Sequence, residues 1–250
     1  MKKIKFLAAV CCMVAVFAAC EKNEPSDNTN GNGVNTDQND GNSNTGSDNA
    51  TGTANGHEWV DIGLPSGVKW ATCNVGATKP EEYGNYYAWG ETEPKTTYNW
   101  STYKWCNGTE DTLTKYCTDS DYGRVDNNTK LYLSDDAARA NWGGAWRMPT
   151  GAEWLELITK CTWTWTTRNG VKGHTVKSRI NGNSIFLPAA GSRSYDDLYF
   201  AGNDGYYWSS SLGTDYPYRA WGVDFLSDYV GGDNSYRCCG QPVRPVLFGE

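Results

Sequence analysis

The residue types able to carry chemistry are few, and their spacing narrows the choice further. The 250-residue chain holds only two histidines, His57 and His174. His174 lies in a polar, glycine-flanked stretch that reads as a turn, and His57 borders a low-complexity segment, so neither nominates a Ser/His/Asp arrangement. Six cysteines follow residue 20: Cys73, Cys106, Cys117, Cys161, Cys238 and Cys239. None forms the C-x-x-C pair that a zinc site needs. An even number in an exported chain reads as a disulfide set. Cys106 with Cys117 is the expected bridge, closing a short loop for about 2–3 kcal/mol, while Cys73, Cys161, Cys238 and Cys239 stay unassigned. The carboxylate pairs Asp135-Asp136 and Asp196-Asp197 have the composition of a glycosidase pair, but Asp is also the ordinary residue of helix caps and turns. Asp119-Ser120-Asp121 is only a fragment of an oxygen-ligand loop. The expectation is therefore no catalytic residue, no metal and no cofactor.

Binding is better supplied. Between Ser192 and Tyr236, tyrosine, aspartate and asparagine alternate on glycine-hinged stretches. The candidate ligand-binding residues are Tyr195, Asp196, Tyr199, Asp204, Tyr216, Tyr218, Trp221, Asp224, Asp228, Tyr229, Asn234 and Tyr236. Tyrosine and tryptophan give rigid, amphipathic contact area at low entropy cost, and small polar groups adapt their hydrogen bonds, as in antibody paratopes. The same set can stack on the C–H faces of sugars while carboxylates and amides take hydroxyls. The expected partner is a glycan or a protein. Tyr206, Tyr207 and Trp208 are assigned to the core.

These residues must be positioned by a domain beginning at about His57. All twelve tryptophans and all sixteen tyrosines lie at or beyond that point. Residues 57–250 suffice for one hydrophobic core. Strands are expected near Glu58–Ile62, Val68–Cys73, Tyr86–Trp89, Trp163–Thr167, Thr175–Ser178, Ser184–Leu187, Tyr206–Ser209, Ala220–Phe225 and Val243–Leu247. A helix is expected over Asp135–Asn141, capped by Ser134. A second opens at Thr150-Gly151-Ala152-Glu153, which has capping-box spacing, and carries Trp154, Leu157, Ile158 and Cys161 on one stripe. Arg147 is expected to pack on the rings of Trp142, Trp146 and Trp154 and to pair with Glu153 or a loop carbonyl. Many short strands with two helices predict an α+β domain.

Ahead of the domain, residues 21–56 are tether-like: 28 of these 36 are Asn, Asp, Gly, Ser or Thr, and none is aromatic. Such a segment cannot bury enough apolar surface to offset its ordering entropy. Residues 1–19 read as an export leader, with Lys2, Lys3 and Lys5 before an apolar run. Twenty-nine acids against 22 bases give a net charge of −7, and no basic cluster lies beyond the leader, which argues against nucleic acid.

Three resemblances add to this reading. Phe17-Ala18-Ala19-Cys20 resembles the lipobox of bacterial lipoproteins. That implies a lipid anchor on Cys20, a tether over 20–56, and an outer-membrane location that is surface-exposed. Trp146-Arg147-Met148-Pro149-Thr150-Gly151-Ala152-Glu153-Trp154 resembles the signature of the Fibrobacter succinogenes major paralogous domain family, relatives of the formylglycine-generating (sulfatase-modifying) enzymes. Trp59–Ala71, Tyr87–Glu91, Leu187–Gly191, Gly205–Ser211 and Val243–Val246 are similar to the family in the same order. The resemblance implies a C-type-lectin-like fold of the formylglycine-generating-enzyme subtype, two short helices and many short antiparallel strands with long loops, over 57–250. The enzymatic relatives use two cysteines several residues apart, whereas Cys238 and Cys239 are adjacent, so a non-enzymatic adhesion role is expected. The alternatives are an enzyme-like relative and a structural fimbrial-tip or surface-layer component. The Tyr/Asn/Asp/Ser-rich late segment also resembles the variable region of retroelement-diversified proteins.

Overall fold

The computed structural model describes residues 52–213 and 215–248. The leader, the lipidation cysteine Cys20 and the tether through Thr51 lie outside the described residues. Strand β1 (Gly52–Ala54) turns through Asn55 and Gly56 into β2 (His57–Val60). Both turn residues have positive φ, 48° and 81°. Asn-Gly is the dipeptide that adopts such a two-residue hairpin turn at least cost. The expected boundary at His57 therefore moves back at least to Gly52. The hairpin is anchored from inside: Trp146 Nε1 donates to the Ala54 carbonyl at 2.9 Å, and the Asn55 amide donates to the Trp142 carbonyl. His57 also stacks on Trp142, with ring centroids 3.7 Å apart.

β2 pairs with β3 (Val68–Ala71), and β3 pairs with β12 (Val246–Phe248), giving the antiparallel order β1-β2-β3-β12. The first and last strands described thus share a sheet. Helix α1 (Ala137–Trp142) is capped by Asp136, whose side chain accepts from the Arg139 N–H. It starts later than the sequence suggests because Leu133–Asp135 form a 3-10 turn, so Ser134 is not the cap. Helix α2 (Gly151–Lys160) follows its expectation closely. Thr150 and Glu153 make both hydrogen bonds of the capping box, and Trp154 and Leu157 are fully buried. Arg147 grips Glu153 through two bonds of 2.8 and 2.6 Å. The ring beneath its guanidinium is Phe248, not a tryptophan.

A second antiparallel sheet is β4 (Cys161–Arg168), β5 (Val171–Ser178) and β6 (Ser184–Pro188). His174 lies within β5, buried among Trp163, Trp165 and Phe225, which corrects the turn expected there. β7 (Ser192–Ser194) and β8 (Asp197–Tyr199) form a hairpin. The last sheet has the order β11-β10-β9, from β9 (Gly205–Leu212), β10 (Arg219–Phe225) and β11 (Val230–Tyr236). The described residues are α+β and mostly antiparallel sheet. The expected strand at Tyr86–Trp89 shrinks to one bridge, Tyr87 to Gln241.

Tryptophan carries the core. One cluster gathers Trp70, Trp154, Tyr207 and Phe225 with aliphatic residues; another gathers Trp89, Trp146 and Trp208. Buried indoles need an acceptor; Trp70 Nε1 has none, but three others find backbone carbonyls of other segments. Trp208 Nε1 donates to Tyr87 O at 2.8 Å, Trp89 Nε1 to Ser209 O at 2.8 Å, and Trp154 Nε1 to Trp208 O at 3.2 Å. A third cluster of Tyr86, Tyr98, Tyr103 and Cys238 backs the surface considered next.

Candidate binding surface

The segment 192–236 is not a set of long loops. It holds β7 to β11, and the fold deals its candidate residues to three places. The β10–β11 ladder sets the scale. It pairs Arg219 with Tyr236 at one end and Phe225 with Val230 at the other, about 20 Å apart at ~3.3 Å per residue. Asp228 and Tyr229 stand exposed at the hairpin turn. Tyr216, Tyr218 and Tyr236 gather at the opposite end. Trp221 lies between, half-buried against the first core cluster. Added Cβ atoms at Gly151 and Gly232 would fall 3.1 and 2.3 Å from its ring. It packs against the core while part of its ring stays in reach of solvent.

At the Arg219 end the aromatic rings form a continuous array. Tyr216 and Tyr218 stack with centroids 5.1 Å apart, and Tyr218 and Tyr236 with centroids 5.9 Å apart. Tyr122 packs on Tyr218 at 5.0 Å, and Trp100 meets Tyr236 edge-on at 6.3 Å. The Arg219 guanidinium lies 4.9 Å from the Tyr236 ring centre and 5.8 Å from that of Tyr218. The array remains in reach of solvent: Tyr216 is 45 % and Tyr236 42 % exposed. Trp100 and Tyr122 are absent from the residues expected from sequence. Their signal was available, since both sit in a polar Asn/Asp/Thr-rich stretch (99–123) of the same character as 192–236.

The array is held from beneath by Arg237, which is fully buried. Its guanidinium donates to Tyr103 Oη at 2.9 Å, Tyr116 O at 3.1 Å, Pro217 O at 2.8 Å and Lys115 O at 3.0 Å. It also lies 4.9 Å from the centre of the Trp89 ring. One side chain therefore ties the end of β11 to the Tyr216–Tyr218 turn and to the segment leading to Tyr122. Trp100 and Tyr122 ride on 3-10 turns capped by Asn99 and Asp119. Beside them a depression of about 410 Å³ is lined by Trp100, Gly108, Thr109, Glu110, Asp111 and Tyr122. The rim is acidic. Desolvation, then Tyr216 and the carboxylates of Asp119, Asp121 and Glu110, push the Tyr122 phenol above its ordinary pKa.

The second group is the β7–β8 hairpin. Tyr195, 63 % exposed, occupies its turn with φ of 52°, next to Asp196, and Tyr199 follows on β8. Tyr195 and Tyr98 exchange two backbone hydrogen bonds of 2.8 Å. The third group faces the β9–β10 pair. Asp204 accepts from Tyr206 Oη at 3.2 Å, and Asp224 is half-buried with one carboxylate oxygen lacking any hydrogen-bond partner. Burial first, then Asp233 and Asp204, push the Asp224 carboxyl up to about 6. Asn234 is half-buried opposite Trp221.

The cysteines do not pair as expected. All six described are free thiols. Cys106 Sγ is turned to the Trp100 carbonyl at 3.1 Å, and Cys117 Sγ to the Asp119 carbonyl at 3.0 Å. Each thiol thus satisfies a 3-10 turn that carries an array ring. The carboxylate pair Asp135-Asp136 is likewise structural. Asp135 accepts from Lys115 Nζ and Tyr116 Oη, and Asp136 caps α1 while accepting from the Met148 N–H at 2.8 Å. Among the described residues no three His, Cys, Asp or Glu side chains converge as a metal-ligand set, and no helix is long and apolar enough to cross a membrane.

Residues 155–246 match a family described as a domain of unknown function (DUF8237). No curated protein and no solved structure matches the chain. The matched region runs from within α2 to the start of β12 and so contains the second and third sheets, Tyr216, Tyr218, Tyr236 and Arg237.

Proposed function

We propose that this chain is a ligand-binding lipoprotein, anchored at the outer membrane through Cys20 and held off the membrane by its Asn/Gly/Asp/Thr-rich tether. Its C-type-lectin-like domain binds a glycan or protein without catalysis. The observation that carries this reading is the five-ring array of Trp100, Tyr122, Tyr216, Tyr218 and Tyr236, half open to solvent and rimmed by carboxylates. Stacked phenols offer flat apolar faces for sugar C–H surfaces, and their hydroxyls with the rim carboxylates accept and donate hydrogen bonds at the edges. The rings are already packed on one another and held from below, so little ordering entropy is lost on binding. A glycan array probed with the detergent-solubilised full-length protein tests the reading. Saturable binding to a restricted set of glycans is expected; uniform absence of binding to glycans and to surface proteins alike would remove it.

A second reading, a subunit of a fimbrial tip or surface layer, is favoured by β11. Its seven residues pair only with β10 among the described strands. A donated strand from another chain could pair there.

A further inference from the structure

Arg193 stands on β7 in a depression separate from the aromatic array. Its backbone is fixed by two hydrogen bonds with Gly240, of 2.7 and 2.9 Å. Its guanidinium lies 5.3 Å from the centre of the buried Tyr86 ring, and Tyr86 is itself held by a 2.5 Å bond from its hydroxyl to the Ala190 carbonyl. The Arg193 side chain is half-buried, yet its five N–H donors meet no hydrogen-bond acceptor and no carboxylate among the described residues. Several other cations are answered: Lys95 pairs with Glu91, Arg147 with Glu153 and Arg168 with Glu81, while Arg237 makes four bonds to carbonyls and a phenol. No Arg193 nitrogen is closed off from solvent, so the donors stand open to an incoming acceptor while the cation–π contact holds the guanidinium in place.

The surroundings say what would satisfy it. A depression of about 420 Å³ is lined by Arg193, Asn85, Lys95, Thr96, Tyr98 and Asp196, among others, within the size range of small-ligand sites. Of the nearby carboxylates, Glu91 is paired with Lys95, whereas Asp196 lines the depression with a single neutral donor and sets a repulsion that Arg193 and Lys95 must outweigh. Glu91 accepts from Lys95 Nζ and the Lys104 N–H, and Asp196 accepts from the Thr97 hydroxyl. We infer that this depression binds a carboxylate-bearing sugar. The planar guanidinium takes the carboxylate through paired bonds, while the Asn85 amide and the Thr96 hydroxyl are placed for ring hydroxyls. A saccharide is favoured over the C-terminus of a peptide because Tyr86 and Tyr98 are buried and leave no apolar slot for a side chain.

The inference does not depend on the aromatic array, and its test keeps the two apart. Calorimetric titration of the full-length protein with glucuronic acid and N-acetylneuraminic acid should show binding of at least one. The matching methyl ester should bind at least tenfold more weakly, and Arg193→Gln should weaken binding of the acid at least tenfold. Arg193→Lys, which keeps the charge without the fork, should fall between. Tyr218→Ala should leave acid binding unchanged. Equal affinity for acid and ester, unaltered affinity in Arg193→Gln, or no binding of either acid at millimolar concentration overturns the site. Equal binding of a short peptide through its free C-terminal carboxylate overturns the sugar assignment. Coupled losses of thermal stability in Arg193→Gln and Asp196→Asn would place an internal ion pair there instead.

Discussion

Arg237 shows how much of this surface rests on a side chain that no ligand would touch. It is fully buried, its donors are spent on three carbonyls and a phenol, and three rings surround it. Arg237→Met removes that tie and leaves three carbonyls short of a donor, so it should cost about 3–5 kcal/mol in urea unfolding, the scale set by breaking buried charged networks. Arg237→Lys should recover only a minority of that loss, because a single ammonium cannot span the same acceptors. Asp224 makes the opposite case. Its carboxyl is pushed up to about 6 by burial and then by Asp233 and Asp204, above the unfolded value. The fold therefore favours its protonated form, and stability is lost as pH rises through about 6. Asp224→Asn should raise the unfolding free energy by about 1–2 kcal/mol at pH 8, with the gain vanishing near pH 4. A gain that persists unchanged at pH 4 would point to packing and not to charge. Neither role was legible in the sequence. Arg237 sits between a tyrosine and two cysteines, which flag no buried tie, and Asp224, expected within the strand Ala220–Phe225, was read as a ligand contact.

At the scale of elements, legibility followed locality. Helix α2 could be read because its signal is contained in a few neighbouring residues: a hydroxyl, a carboxylate three positions on, and an apolar stripe behind them. Glu153 serves two masters, the Thr150 N–H and Arg147. Burial would raise its pKa, but these partners outweigh it and hold the carboxyl below its ordinary value. That depressed value contributes stability above the unfolded pKa, and the contribution is lost as pH falls through the folded one. Thr150→Ala should cost about 1 kcal/mol. Glu153→Gln should cost about 1–3 kcal/mol at pH 7, and its difference from the parent should shrink at pH 3, as followed by chemical denaturation. Strand β11 could not be read, because Val230-Gly231-Gly232-Asp233-Asn234 has the composition of a turn. Gly232 is there for a reason outside its own segment, since the Trp221 ring of β10 lies over it where a Cβ would meet it at 2.3 Å; over Gly231 lies the phenol of Tyr229, two residues back, at 2.0 Å. β1 escaped for a related reason, since its Asn-Gly turn is chemically indistinguishable from the low-complexity segment before it. The helix at residue 135 was displaced because Asp136, rather than Ser134, reaches the Arg139 N–H.

For the molecule as a whole, composition indicated the class of object more firmly than the place of its site. The concentration of tryptophan and tyrosine beyond residue 57 anticipated a core built from amphipathic rings whose polar tips tie separate segments together. Composition could not say that the late tyrosines would divide along a sheet, with Tyr229 at one end of the β10–β11 hairpin and Tyr218 and Tyr236 at the other, or that Trp100 and Tyr122 would join the latter from a distant stretch. That division gives the central claim an internal control. Ligand affinity should be compared between the parent protein, Tyr218→Ala with Tyr236→Ala together, and Tyr229→Ala, each at unchanged folded fraction by near-ultraviolet circular dichroism. Loss of the array rings should weaken binding at least tenfold, about 1.4 kcal/mol, while Tyr229→Ala should bind as the parent does; full affinity in the double variant, or an equal loss in Tyr229→Ala, would contradict the account.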